Sequence, residues 1–126
     1  LPYQPKARLL ESFAAADVFV VSLKRGLEGY IVPSKLYGIL AAGRPFIAAV
    51  DPTCEAAAIA KERDCGLVAE PGDARALAER VLELYRDRSL ARRLGEHARA
   101  AGLAFDRRRQ VQAYFDLFRR LDGAAP

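Results

Sequence analysis

Between Ser22 and Pro45 the chain reads SLKRGLEGYIVPSKLYGILAAGRP, and this segment carries the residues best suited to gripping an anion. Gly26 and Gly29 let backbone approach a ligand closely. Pro33, Ser34 and Lys35 open a short helix, whose unpaired N–H groups suit negative charge. Lys24, Arg25 and Lys35 bring three cations to the same stretch. A hydroxyl, an ammonium and open amides together are the chemistry of phosphate capture. Tyr30 and Tyr37 have faces that could stack on a base or line a cleft, with core or rim packing as the alternative. Glu55 follows the second apolar run, and a carboxylate accepts well from a diol; its other reading is a first-turn acid favoured by the helix dipole.

These residues need elements to hold them. Residues 5–16 have helical spacing of Ala7, Leu10, Phe13 and Ala14, and DVFVVSL at 17–23 is too short and too β-branched for a helix, so it reads as a buried strand. The glycine loop leads to a helix over 34–42, stopped by Gly43 and Pro45. PFIAAV at 45–50 is a second buried strand, broken by Asp51-Pro52, and 53–63 is a third helix. Gly66 to Ala69 is a short strand closed by a Pro71-Gly72 turn, and Asp73 suits the N-cap of the next helix. There Leu77, Val81 and Leu84 form a core stripe. A helix over 89–102 ends near Gly102, and a last one over 107–121 aligns Val111, Tyr114, Phe115, Phe118 and Leu121, a spacing that reads as core packing. Apolar strands alternating with helices predict an α/β parallel sheet covered on both faces, with ligands at the C-terminal strand edge. The 24–35 loop lies at that edge.

Composition narrows the function classes. At 126 residues and 52% hydrophobic content the chain can bury a core. No apolar run approaches the roughly 20 residues that cross a bilayer, and residues 1–13 lack the pattern of a secretory signal. With no methionine, the chain reads as a piece of a longer protein. Cys54 and Cys65 are spaced for neither a redox pair nor zinc, and are expected to be small, partly buried thiols of a cytosolic protein. His97, alone among arginines and alanines, reads as a surface residue, and no metal site stands out. Residues 1–79 hold nine basic and ten acidic side chains, whereas 80–126 hold eleven Arg against six acids, so the net charge of +4 belongs to the C-terminal helices.

AAADVFVVSL, the glycine loop, KLYGILAAGRPFIA and CGLVAEPGDARALAERV, in this order, resemble the C-terminal half of GT-B glycosyltransferases, specifically the bacterial group that builds surface polysaccharides, lipopolysaccharide and colanic acid. The likeness runs from about Pro5 to Leu121. It implies a partial C-terminal domain, 1–126, of a three-layer Rossmann-like fold that grips a nucleotide-sugar donor, with helix 107–121 crossing to an absent N-terminal domain. The implied reaction moves a sugar from a nucleoside diphosphate, UDP by default, to an acceptor hydroxyl, with no cofactor and no required metal. Gly26, Gly29, Tyr30, Ser34, Lys35 and Glu55 would contact the donor, and Glu28 would orient its sugar as the catalytic candidate. A saccharide or lipid-linked acceptor would sit on the missing domain. The fragment would be inactive alone, cytoplasmic, and peripheral at the inner membrane face, with no nucleic-acid partner and an exposed sheet edge inviting a homodimer.

One departure stands out. Many members place one glutamate in the loop and a second on the following helix, where it binds the ribose. Here the second position falls on Gly38, and the residue eight after Glu28 is Leu36. The rival function is a non-enzymatic module that uses the Arg-rich helices on nucleic acid or anionic lipid; a degenerate relative that binds nucleotide without turnover lies between the two.

Overall fold

A computed structural model describes residues 5–27 and 33–122; of Lys6, Leu10, Leu121 and Asp122 it describes backbone only. A 3₁₀ turn, Lys6–Arg8, leads into helix α1 (Leu9–Ala14). Then follow β1 (Phe19–Ser22), α2 (Lys35–Ala41), β2 (Phe46–Ala49), α3 (Glu55–Glu62), β3 (Gly66–Ala69), α4 (Ala74–Arg86), α5 (Arg88–Ala104) and α6 (Arg107–Asp122). The strands form a parallel sheet in the order β1-β2-β3, in register Phe19–Phe46–Gly66 through Ser22–Ala49–Ala69. This is the α/β, Rossmann-like architecture that the alternation of strand and helix requires.

Strand alternation sends β2 side chains to opposite faces, and each face has its own core. Phe46, Ala48 and Val50 pack with Leu36, Ile39 and Leu40 of α2, Ala56, Ala57, Ile59 and Ala60 of α3, and Ala98 and Ala101 of α5. Ile47 and Ala49 pack on the other face with Ala69, Leu84 of α4 and Leu94 of α5. Helix α5 therefore serves both layers. It lies tight against α2 because Gly95 and Gly102 face it: a Cβ at Gly102 would stand 2.8 Å from the Leu40 carbonyl carbon, and one at Gly95 2.8 Å from the Gly43 oxygen.

Capping follows the sequence. Asp73 accepts from the Ala76 amide at 2.9 Å, and Asp87 from that of Leu90 at 2.9 Å. Gly72, at φ +82°, closes the Pro71 turn with a bond from the Asp73 amide to the Glu70 carbonyl. α2 stops in a Schellman arrangement: Gly43 (φ +65°) donates to the Leu40 carbonyl, and Arg44 to that of Ile39.

Four expectations change. The first strand is an edge rather than a buried one: only Val21 is buried, and Val20 is 47% exposed because α4 packs against β2 and β3. In α4 only Leu84 of the stripe is fully buried; Leu77 is half-buried and Val81 exposed. α5 continues past Gly102 to Ala104, since that glycine serves close packing rather than termination. The aromatic stripe of α6 is not core. Val111, Tyr114, Phe115 and Phe118 are 51–65% exposed, and no other element covers them among the described residues. Periodicity shows that a face is apolar, not what covers it.

Candidate functional site

The C-terminal edge of the sheet gathers three loops. After β1 come Leu23 to Leu27, after β2 Val50 to Cys54, and after β3 Glu70 to Asp73. Gly26 sits in the first loop with φ +83°, a conformation other residues rarely adopt. Ser34 and Lys35 return the chain to this edge at the start of α2, and Glu55 stands in the first turn of α3. Thus Gly26, Ser34, Lys35 and Glu55 share one edge. Glu28, Gly29 and Tyr30 lie outside the described residues.

Ser34 occupies the N-cap position of α2, yet its backbone is already helical and its side chain makes no cap bond. Its hydroxyl and the Lys35 ammonium are both exposed and have no partner among the described residues. They line a recess of about 860 Å³ with Phe13, Phe19, Val21 and Gly38. A second recess of about 600 Å³ lies at the ends of all three strands, bounded by Lys24, Arg25, Ala49, Glu70 and Leu77. An ion pair from Arg25 to Glu70 links the β1 and β3 loops at its rim. Beside it Asp51 accepts from the Thr53 amide at 2.9 Å and hydroxyl at 2.7 Å, which hold its carboxyl below the usual carboxylate range, with Arg25 helping slightly.

Sequence reasoning named Tyr37 and Glu55 without joining them. The Tyr37 hydroxyl donates to Glu55 Oε1 at 3.2 Å, tying α2 to α3. The Tyr37 ring meets Phe105 edge-on with centroids 5.3 Å apart. Burial first, and then the Glu55 carboxylate, push the Tyr37 phenol above its ordinary value. The readable signal was positional: both residues fall in the first turn of helices that follow neighbouring parallel strands. Glu55 is exposed, and its bond to Tyr37 uses one of its two oxygens.

The glycine at position 38 has a physical partner. A Cβ there would stand 2.8 Å from Phe13 Cζ, and Phe13 packs on Phe19 with centroids 5.3 Å apart. A glutamate at this place would have to displace an aromatic pair. Arg44 does not belong to the site: it donates to the Ala14 carbonyl at 2.7 Å, at the other end of the sheet. His97 bonds to Asp64 on the surface, through its carbonyl at 2.9 Å and its carboxylate at 3.2 Å. Cys54 and Cys65 are free and buried, and burial pushes the Cys65 thiol up to about 11. Among the described residues no group of three metal-ligating side chains gathers, and no helix is long and apolar enough to cross a membrane.

Gly26, the polar start of α2 and the Glu55 carboxylate thus stand at the C-terminal strand edge of a Rossmann-like sheet, the place where open parallel α/β sheets take their ligands. Residues 1–101 match the family described as "Glycosyl transferases group 1", and the chain belongs to that family. It is 36% identical over 80 residues to a protein of Pseudomonas aeruginosa named "Probable glycosyltransferase WbjE". The match covers 64% of this chain and 20% of the relative, so the chain spans about a fifth of that relative's length. No solved structure gives a significant match.

Proposed function

We propose that this chain is the donor-binding part of a glycosyltransferase that moves a sugar from a nucleotide-sugar to an acceptor hydroxyl during synthesis of a cell-surface polysaccharide. The observation that carries the reading is the convergence, in a domain of this family, of Gly26, Ser34, Lys35 and Glu55 at the C-terminal edge of one parallel sheet. In it, Ser34 and Lys35 with the Gly26–Gly29 loop and Tyr30 hold the diphosphate and sugar, and Glu28 orients the sugar. Glu55, held by Tyr37, accepts from the ribose hydroxyls in place of the carboxylate that Gly38 lacks. The exposed apolar face of α6 is the surface that crosses to an N-terminal, acceptor-binding domain, which keeps it from water. The enzyme works in the cytoplasm, against the inner face of the membrane. Family membership favours this reading over a basic-surface module.

Amide NMR of the 126-residue chain, titrated with UDP, GDP and a UDP-sugar, tests it. Saturable shifts at residues 24–38 and 51–56 are expected, and the tightest ligand names the nucleotide. Donor KM left unchanged by Ser34→Ala with Lys35→Ala in the full-length enzyme would overturn the placement.

A further inference from the structure

At the N-terminal end of the strands, away from the donor edge, a recess of about 450 Å³ opens between α5 and the α2–β2 connection. Its wall is a stripe of α5: Arg88, Arg92 and Arg99, spaced i, i+4 and i+11, with Gly95 between them. At 1.5 Å rise per residue the stripe is about 16 Å long. Arg44 faces it from the connection, and Asp17 and Glu96 are the acids on its rim. Side-chain-free Gly43 and Gly95, whose backbones meet here, leave the space open.

Two of the four guanidiniums have a structural task. Arg44 donates to the last carbonyl of α1 (Ala14) and Arg99 to that of α2 (Ala41), which caps these helices but leaves both cations without a carboxylate. That task does not account for the other two. Arg88 reaches Asp17 only at 3.8 Å, with side chains 64% and 81% exposed, a pair that holds little. Arg92 has no hydrogen bond or ion pair among the described residues. Four guanidiniums thus face two carboxylates around an open concavity. Guanidinium forks match phosphate oxygens in geometry and charge. No aromatic side chain lines the recess, so nothing there reads a base.

We propose that this recess is a second anion site, binding phosphate groups without regard to any base attached to them, independently of the donor edge. The phosphate can come from a soluble diphosphate or from a lipid headgroup, and the test separates the two. Titrate the 126-residue chain with inorganic pyrophosphate at low salt, following backbone amides and arginine Nε–H signals. Saturable shifts are expected at Gly43, Arg88, Arg92 and Gly95, with a Kd of about 1 mM for so exposed a site, weakening several-fold when salt shrinks the Debye length. UDP and GDP should shift these same residues equally, apart from their effect at 24–38. Arg88→Gln with Arg92→Gln should weaken binding at least about tenfold, since each removes a charge-assisted contact. The thermal melt should not move, and Arg92→Lys should restore part of the binding. Sedimentation with phosphatidylglycerol vesicles, against phosphatidylcholine alone, identifies the source: co-sedimentation lost in the double variant assigns the headgroup, and its absence assigns the soluble ion. Pyrophosphate shifts that never saturate, that spread equally over the α6 arginines, or that persist in the double variant would overturn the site.

Discussion

The α2–α5 contact is where stability and the proposed donor edge meet, and Gly102→Ala probes it most directly. An added Cβ would lie 2.8 Å from the Leu40 carbonyl carbon, 2.9 Å from the Ala41 nitrogen and 3.0 Å from the Leu40 oxygen. All three are backbone atoms, so no rotamer change relieves the clash; α5 must lift from α2 by several tenths of an ångström. Ala98 and Ala101, buried in the same contact, would lose packing on that face of the sheet. Overpacking of this kind costs about 1–3 kcal/mol, while alanine gains about 0.8–1 kcal/mol over glycine in a helix. The expected net loss is therefore about 1 kcal/mol, or about 3–5 °C in Tm for a chain of this size. Urea and thermal unfolding followed by far-UV circular dichroism measure it. Ala100→Gly, at an exposed position of the same helix, isolates the propensity and should cost about 0.5–1 kcal/mol. Gly95→Ala, meeting the Gly43 oxygen at 2.8 Å, should behave as Gly102→Ala does. Because α2 carries Ser34, Lys35 and Tyr37, lifting α5 should also weaken the donor titration. A Gly102→Ala chain more stable than the parent by the full propensity gain would refute the reasoning, because α5 would then not touch the α2 backbone.

Tyr37→Phe removes the bond to Glu55 and should lower stability by only about 0.5–1 kcal/mol while weakening the donor titration; the spectrophotometric phenol titration should lose a component that lies above the ordinary tyrosine value. Asp73→Ala removes the cap on the Ala76 amide and should cost about 1 kcal/mol in urea unfolding, with Asp73→Asn recovering most of it. Alkali should destabilise the chain through Cys65: its folded pKa of about 11 lies above the unfolded 9.0, so its contribution is whole below pH 9.0 and fades as pH rises toward 11, a loss that Cys65→Ala should lack in melts run across that range. In acid the sign reverses for Asp51 and Asp87, whose folded values are depressed by amide and hydroxyl donors; their stabilisation is present above the ordinary 3.8 and is lost as pH falls below it, which acid melts of Asp51→Asn and Asp87→Asn chains should show as a flatter decline.

Legibility in the sequence followed how local each signal was. Strands and helices declared themselves through β-branched runs, through Asp73 before its helix and through Gly43 and Pro71-Gly72 after theirs, because caps and turns are written within a few residues. The position of Gly26 and Ser34-Lys35 at the C-terminal strand edge was legible because parallel sheets place such loops at the strand ends. The Tyr37–Glu55 bond spans 18 residues, and the fit of Gly38 around Phe13 spans 25; pairings of that kind are properties of the packed layers. Gly102 misled for the same reason. A glycine late in a helix reads as a stop, and only the partner helix shows that it is a contact.

Helix α6 is the sharpest case of a pattern that does not name its partner. Its apolar side was legible at Val111, Tyr114, Phe115 and Phe118, yet residues 107–120 are all exposed and the two cores close without them. Arg119 stacks over Phe115 at 4.9 Å from the ring centroid, an exposed contact worth about 0.5–1 kcal/mol that stays within the helix. A chain cut after Asp106 should thus keep the melting temperature of the parent to within about 2 °C, since removal of exposed segments costs little. It should also bind less of a dye that reports exposed apolar surface, because Tyr114, Phe115 and Phe118 leave with the helix. A drop in melting temperature as large as that of Gly102→Ala would mean that α6 folds back onto the sheet layers, and the case for its crossing to another domain would fall with it.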